Sequence, residues 1–324
     1  MRVVTDLADL ERRPRALAIG TFDGVHVGHR AVIGQAVAQA AERRLLGAVV
    51  TFDRHPLAVV DPSHAPRLLT PLAEKNRLIG ELGPEELVLL PFDERLAALT
   101  PASFCERVLA EALQARVVVV GENFSFGAGG AGDAARLRGC GAAHGFETVV
   151  VSLITEHGKT ISSTRIRRLL NHGELEEVRE ILGRPPSATG LVVAGDRRGR
   201  TLGVPTANID VEAGTIFPGR GVYAAGVLVD GVWYRAAVNI GHNPTFRSKA
   251  VETTHVTVEA FLLAFSGDIY ERPIRVDFLH KIRDERRFDS VAELVAQMRR
   301  DIAETADLQD PAFAGIGLAA PAAL

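Results

Sequence analysis

GTFDGVHVGH, residues 20–29, places two histidines, an aspartate and three glycines directly behind the apolar run RALAI, residues 15–19. The run reads as a buried strand, and HRAVIGQAVAQAAERR (29–44) behind it reads as a helix, so the ten residues form a glycine-rich strand-to-helix turn. Four more β-branched runs follow: GAVVTF (47–52), ELVLLPF (86–92), RVVVVG (116–121) and ETVVVSLI (147–154). Helical patterns lie between them, among them TPASFCERVLAEALQ (100–114), with Thr100 as N-cap and Pro101 at the first helical position. Strands alternating with helices predict an α/β domain on a parallel sheet. TFDRHP, PFDE and GENFSFG fall at strand carboxyl ends beside the first turn, where open α/β sheets bind ligands.

Downstream the pattern changes. KTISSTRIRRLLNHGELEEVREILG (159–183) reads as a Ser-capped helix, a glycine break and a second short helix, and RPPSATG ends it. From Leu191 the signals change to short alternating strands, with Asp230-Gly231 as a hairpin turn, so this half is mostly β. A last amphipathic helix (290–308) puts Val291, Leu294, Val295 and Met298 on one face to cover an open barrel end. The expected division is a first domain over 1–185, a second over 186–310 and a loose tail over 311–324.

The 324 residues are 47% apolar with a net charge of −3, enough core for two domains and no broad basic face for nucleic acid or anionic membrane. Two cysteines exclude a disulfide framework and suit a reducing, cytoplasmic setting. No apolar run reaches the roughly twenty residues of a membrane span, and the N-terminus lacks a signal-type core.

His26 and His29 are one helical turn apart, so both can face one pocket at the start of a helix. Free N–H groups and the helix dipole favour a phosphate there, with Gly20, Gly24 and Gly28 allowing close approach and Phe22 and Asp23 in the same turn. The histidines can neutralise charge on a phosphate and its leaving group; a metal pair is the alternative, but no third protein ligand stands in the motif. In ISSTRIRRLL (161–170), Ser162, Ser163 and Thr164 beside Arg165, Arg167 and Arg168 make an anion clamp, where capping alone explains one hydroxyl. Asn123 stands at a strand end. GAGGAG (127–132) fits the dinucleotide pattern formally but lacks the strand-to-helix context and the distant acid.

A second cluster is GDRRGRTLGVPTANID, residues 195–210. Gly195, Gly199 and Gly203 with Arg197 and Arg200 beside Thr201 suggest a cationic loop over phosphates, though not a Walker loop. Thr206 and Asn208 are two apart, so on an extended segment their oxygens point the same way and can hold magnesium with nucleotide phosphates. A turn with side-chain to backbone bonds is the plain alternative.

Together these motifs carry a resemblance. GTFDGVHVGH and ISSTRIR look like the signatures of the nucleotidyltransferase superfamily. With TFDRHP, LPFD and GENFSFG they resemble the adenylyltransferase half of bacterial bifunctional riboflavin kinase/FAD synthetases. The 195–210 stretch, VNIGHNPTF (238–246) and VEAFLLAFSGDIY (258–270) resemble the kinase half, in the same order. The resemblance implies a small β-barrel for the second domain, ATP, riboflavin and FMN as small-molecule substrates, Mg²⁺ with ATP, and binding of Mg-ATP by residues 205–208. It also implies a strand glutamate as base for the flavin hydroxyl; Glu252 and Glu259 compete, and the family spacing to GDIY selects Glu259. Arg54, Pro186, Val204, Ala264 and Glu271 depart from the family's usual residues. Rival readings are a tRNA-binding enzyme with a His-x-Gly-His-type motif, which the acidic balance disfavours, and a flavin sensor without catalysis.

Overall fold

The computed structural model describes residues 1–195, 204–212, 214–242 and 256–314. They divide into two compact units, 1–163 and 164–324.

The first unit is built on a six-stranded, wholly parallel sheet: β1 (Arg2–Val4), β2 (Arg15–Ile19), β3 (Leu46–Phe52), β4 (Glu86–Leu90), β5 (Ala115–Gly121) and β6 (Glu147–Val151), in the order β1-β4-β3-β2-β5-β6. The five strands read from sequence are all present; β1, only three residues long, was too short to register as a periodic run. Alternate residues face opposite cores. Leu17, Ile19, Val118 and Val120 pack with Phe104 and Leu109 on one side, while Ala16, Ala18, Val117 and Val119 pack with Ile33, Leu78 and Ile79 on the other. Covering both faces is what makes the strands continuous apolar runs rather than alternating ones. The chain moves from β2 to β3 and β4 on one side and to β5 and β6 on the other, so the order reverses between β2 and β5. That switch point opens a crevice at the strand carboxyl ends.

Thr100 caps its helix as expected, its side chain accepting from Ser103 N, with Pro101 following. The segment beyond it, Phe104–Ala112, is a π-helix. Its buried Phe104, Cys105, Val108 and Leu109 satisfy an α-helical stripe equally well, so the sequence periodicity does not distinguish the two. The free Cys105 and Cys140 belong to this side of the sheet.

After β6 the first unit adds a short antiparallel hairpin, β7 (Thr155–Glu156) and β8 (Lys159–Thr160). The second unit contains a closed barrel of β9 (Ser187–Val193), β10 (Ala207–Val211), β11 (Gly221–Val229), β12 (Val232–His242), β13 (Val256–Leu262) and β14 (Pro273–Arg283), in the order β10-β13-β12-β11-β14-β9. Asp230 (φ 45°) and Gly231 (φ 83°) make the expected hairpin turn between β11 and β12. The helices Ser163–His172 and Leu175–Leu182 end at Gly173 and Gly183, both left-handed. Leu175–Leu182 packs on β14, which draws this helical pair to the barrel and sets the compact-unit boundary upstream of residue 185.

Two details of the C-terminal region depart from expectation. In the helix Val291–Asp307, Val291 is exposed and Leu294, Val295 and Met298 are only partly covered. The buried positions are Asp301 and Thr305, because Arg283 of β14 takes the Asp301 carboxylate in a bidentate pair at 2.7–3.2 Å. The start of the supposed loose tail, Pro311–Ala314, is docked: Phe313 is 2% exposed beside Ala224 and Leu279, under the Arg235 guanidinium at 4.4 Å.

Ala264 (φ 56°) and Glu271 (φ 61°) both stand in the left-handed region. Glycine adopts that conformation at no steric cost, and aspartate tolerates it better than most residues. Glu271→Gly is therefore expected to raise stability by about 0.5 kcal/mol, the relieved strain exceeding the added unfolded-chain entropy, as read from the urea midpoint at unchanged slope.

Candidate functional site

The turn after β2 is held by its glycines and by strain. At Gly20 a Cβ would come 3.1 Å from the Phe22 ring, and at Gly28 one would come 3.2 Å from the His26 ring. Both rings therefore fold back onto the backbone. Phe22 (φ 48°), Gly24 (φ 91°) and Val25 (φ 40°) are all left-handed, and Val25 is β-branched and fully buried. Strain of this kind persists only where the surroundings over-determine it, and it clusters at functional sites.

His26 is the N-cap of α1 (Val27–Arg43): its Nδ1 accepts from His29 N at 3.2 Å. With Nδ1 committed as acceptor, the neutral ring carries its proton on Nε2. The His29 ring stacks on it with centroids 3.5 Å apart and meets Phe22 edge-on at 5.4 Å. The two histidines thus form one aromatic pair at a helix N-terminus, beside the switch point of the sheet. Asp23, 4% exposed, turns its carboxylate to Leu69 N and Thr70 N at 3.0–3.2 Å, so it anchors the neighbouring loop.

Asn123 stands just past β5, and its Oδ1 lies 3.3 Å from where a Cβ at Gly121 would be. Of its neighbouring phenylalanines, Phe126 is core, against Phe104, and Phe124 is half-buried and stacked on it. Two glycines of 127–132 serve packing: a Cβ would strike Pro101 at Gly127 and Phe126 at Gly132. Ser163 Oγ donates to Asp23 O at 2.9 Å, which ties the second motif to the first within the first unit, with Ser162 beside it. Thr164, Arg165 and Arg167 follow in the second unit; Thr164 is exposed, Arg167 half-buried, and Arg165, 7% exposed, pairs through Nε with Glu177 at 3.0 Å.

In the barrel the register gathers the second site. Asn208 of β10 is directly opposite Glu259 of β13, and Glu259 is directly opposite Asn239 of β12. Cross-strand partners share a face, so the three polar side chains form one row. Gly195 underlies it: a Cβ there would come 2.1 Å from Asn208 Nδ2. Beside the row, a Cβ at Gly241 would lie 3.0 Å from both Asn239 Nδ2 and Glu285 Oε1. Thr206, half-buried, precedes β10 by one residue. Arg197, Gly199, Arg200, Thr201, Gly203 and the competing Glu252 lie outside the described residues. Asn239 was missed as a site residue; its signal was its place in VNIG, but only the strand register puts it opposite Glu259.

Gly195→Ala is expected to lower the activity of this site about a hundredfold, because the added methyl displaces the Asn208 amide by around an ångström. Turnover at the first unit's site in the same sample serves as the reference.

A family model described as FAD synthetase matches residues 9–165, and one described as riboflavin kinase matches residues 182–309. The bifunctional riboflavin kinase/FMN adenylyltransferase of Bacillus subtilis is 37% identical over 299 residues, covering 90% of this chain and 91% of the relative. That of Escherichia coli K12 is 38% identical over 305 residues, covering 93% and 96%. A crystal structure described as a macrolide-efflux protein from Streptococcus pneumoniae aligns with a TM-score of 0.85 at 32% identity, covering 95% of this chain and 99% of that one.

Proposed function

The chain belongs to the bifunctional riboflavin kinase/FMN adenylyltransferase family, and from that premise we propose which of its residues carry out each reaction. It is an enzyme with two activities. The C-terminal domain phosphorylates riboflavin with ATP to give FMN and ADP; the N-terminal domain adenylylates FMN with ATP to give FAD and pyrophosphate.

For adenylyl transfer, the FMN phosphate attacks the α-phosphorus of ATP and pyrophosphate leaves. His26 and His29 face the ATP phosphates and offset the charge that develops on the leaving group. Gly20, Phe22, Asp23, Gly24, Gly28, Asn123, Ser162, Ser163, Thr164, Arg165 and Arg167 bind the nucleotide. The observation that carries this reading is the stacked histidine pair at the N-terminus of α1, beside the β2/β5 switch point.

For phosphoryl transfer, Glu259 takes the proton of the flavin 5′-hydroxyl as it attacks the γ-phosphorus. Asn208 and Thr206 hold ATP with magnesium, helped by Gly195 and by Arg197, Gly199, Arg200, Thr201 and Gly203. The metal fits the residues: hydroxyl and amide oxygens are donors that magnesium favours, and Gly195 leaves the Asn208 amide its room. When bound, magnesium neutralises phosphate charge. Asn208 stands opposite Glu259 in the strand register, which supports this assignment.

The functional division we assign is 1–185 for adenylyl transfer and 186–310 for the kinase. The partners are ATP, riboflavin and FMN, with the reactions in the cytoplasm, where free thiols such as Cys105 and Cys140 persist. No helix among the described residues is long and apolar enough to cross a membrane.

Chelation tests the metal assignment. With EDTA in excess, FMN formation from riboflavin is expected to stop and to return on adding magnesium. Unchanged turnover in EDTA contradicts it.

A further inference from the structure

The helix Leu72–Gly80 buries a lysine. Lys75 is 8% exposed, on the same helix as the buried Leu78 and Ile79, and neither reaction above assigns it work. Its ammonium lies 2.9 Å from Phe52 O, 3.4 Å from Thr51 Oγ1 and 3.4 Å from Thr21 O. Thr51 Oγ1 donates in turn to Thr21 O at 3.1 Å. Thr21 begins the turn that leaves β2, and Phe52 is the last residue of β3, so one cation ties together the departing ends of two adjacent strands. An ammonium has three N–H donors, one for each of these acceptors. Burying a charge is costly, and an apolar helix former would fill the place without that cost.

We propose that Lys75 is a positioning residue for adenylyl transfer, its ammonium fixing the strand ends from which the 20–29 turn and the 53–56 loop depart. The proposal rests on the assignment of adenylyl transfer to the 20–29 turn. The charges that face Lys75 are Asp23 from that turn and Asp53 from the loop after β3, with Arg54 and His55 completing the titratable lining of the small cavity there. The two carboxylates favour the ammonium and burial opposes it; burial prevails and pushes Lys75 down to about 8.

The consequence separates positioning from stability. An ordinary lysine titrates near 10.5, so between pH 8 and 10.5 the unfolded chain holds more protons at this residue than the folded chain. Stability attributable to Lys75 therefore rises with pH across that window. Adenylyl transfer moves the other way, because the neutral amine has only two N–H groups for three acceptors.

The test measures FAD formation from FMN and ATP against pH in the full chain, with FMN formation from riboflavin in the same samples as reference. Lys75→Met is expected to lower kcat for adenylylation about 30-fold, with KM for FMN and ATP within about threefold and the kinase unchanged. Lys75→Arg is expected to restore most of kcat and to shift the alkaline limb, near pH 8 in the unaltered chain, upward by at least about one unit, since arginine stays charged. Full adenylylation by a folded Lys75→Met chain overturns the proposal, and so does an alkaline limb that Lys75→Arg leaves in place. If Lys75→Met does not fold, the limb in Lys75→Arg decides. His29→Ala is assayed alongside: full adenylylation there overturns the turn's assignment and this proposal with it, whereas loss there with Lys75→Met unaffected sinks Lys75 alone.

Discussion

Replacing His29 with alanine is expected to lower FAD formation from FMN and ATP by about 10²–10³-fold and to leave FMN formation from riboflavin unchanged. The magnitude is that of removing one preorganised group from the site of developing charge, about 3–4 kcal/mol of transition-state stabilisation. The His29 side chain is the clean place to test this. Its backbone N–H, not its ring, completes the cap with His26 Nδ1, so α1 keeps its cap in the variant. His26→Ala removes both ring and cap, and is expected to lose about 1 kcal/mol of stability besides its effect on rate. Unchanged adenylylation in His29→Ala, measured as FAD released per chain with FMN in excess, removes this pair from the reaction.

The second large effect belongs to Glu259. Glu259→Gln keeps the shape of the side chain in its row with Asn208 and Asn239 but cannot take a proton. Kinase turnover is expected to fall by about 10²–10⁴-fold, the usual contribution of a positioned base, while supplied FMN is converted to FAD at the unaltered rate. Because phosphoryl transfer otherwise rests on positioning and charge, the remaining activity measures what the phosphate-binding residues supply. Normal kinase turnover in Glu259→Gln would move the base to Glu252 or elsewhere.

What was legible in the sequence, and what was not, follows from the range of each signal. Strand runs, the cap at Thr100, the Asp230-Gly231 turn and the helix-ending Gly173 and Gly183 are local chemistry, and they stand where the pattern put them. That the 20–29 turn leaves the carboxyl end of a strand followed from placing a glycine-rich turn behind the first long run; that this strand borders the switch point needed the strand order. Lys75 was invisible because a lysine in a helical pattern reads as solvated; only the strand ends packed over it reveal three acceptors. Asn239 needed the β12–β13 register, since parity within a strand says nothing about which residue stands opposite in the next. The C-terminal helix shows the same limit from the other side: its apolar stripe pointed to Val291, but a bidentate pair between Arg283 and Asp301, ten residues farther on, is what the barrel buries. His26 combines both cases: its spacing from His29 suggests a pair facing a phosphate, and its place as N-cap is seen only once its ring is placed.

The most direct test of two sequential activities on one chain is a time course: the purified protein with riboflavin, ATP and magnesium, its flavins separated at intervals. FMN rising first and then being drawn into FAD is the expected result. FMN accumulating with no FAD over the full course, or no flavin product at all, would contradict the account.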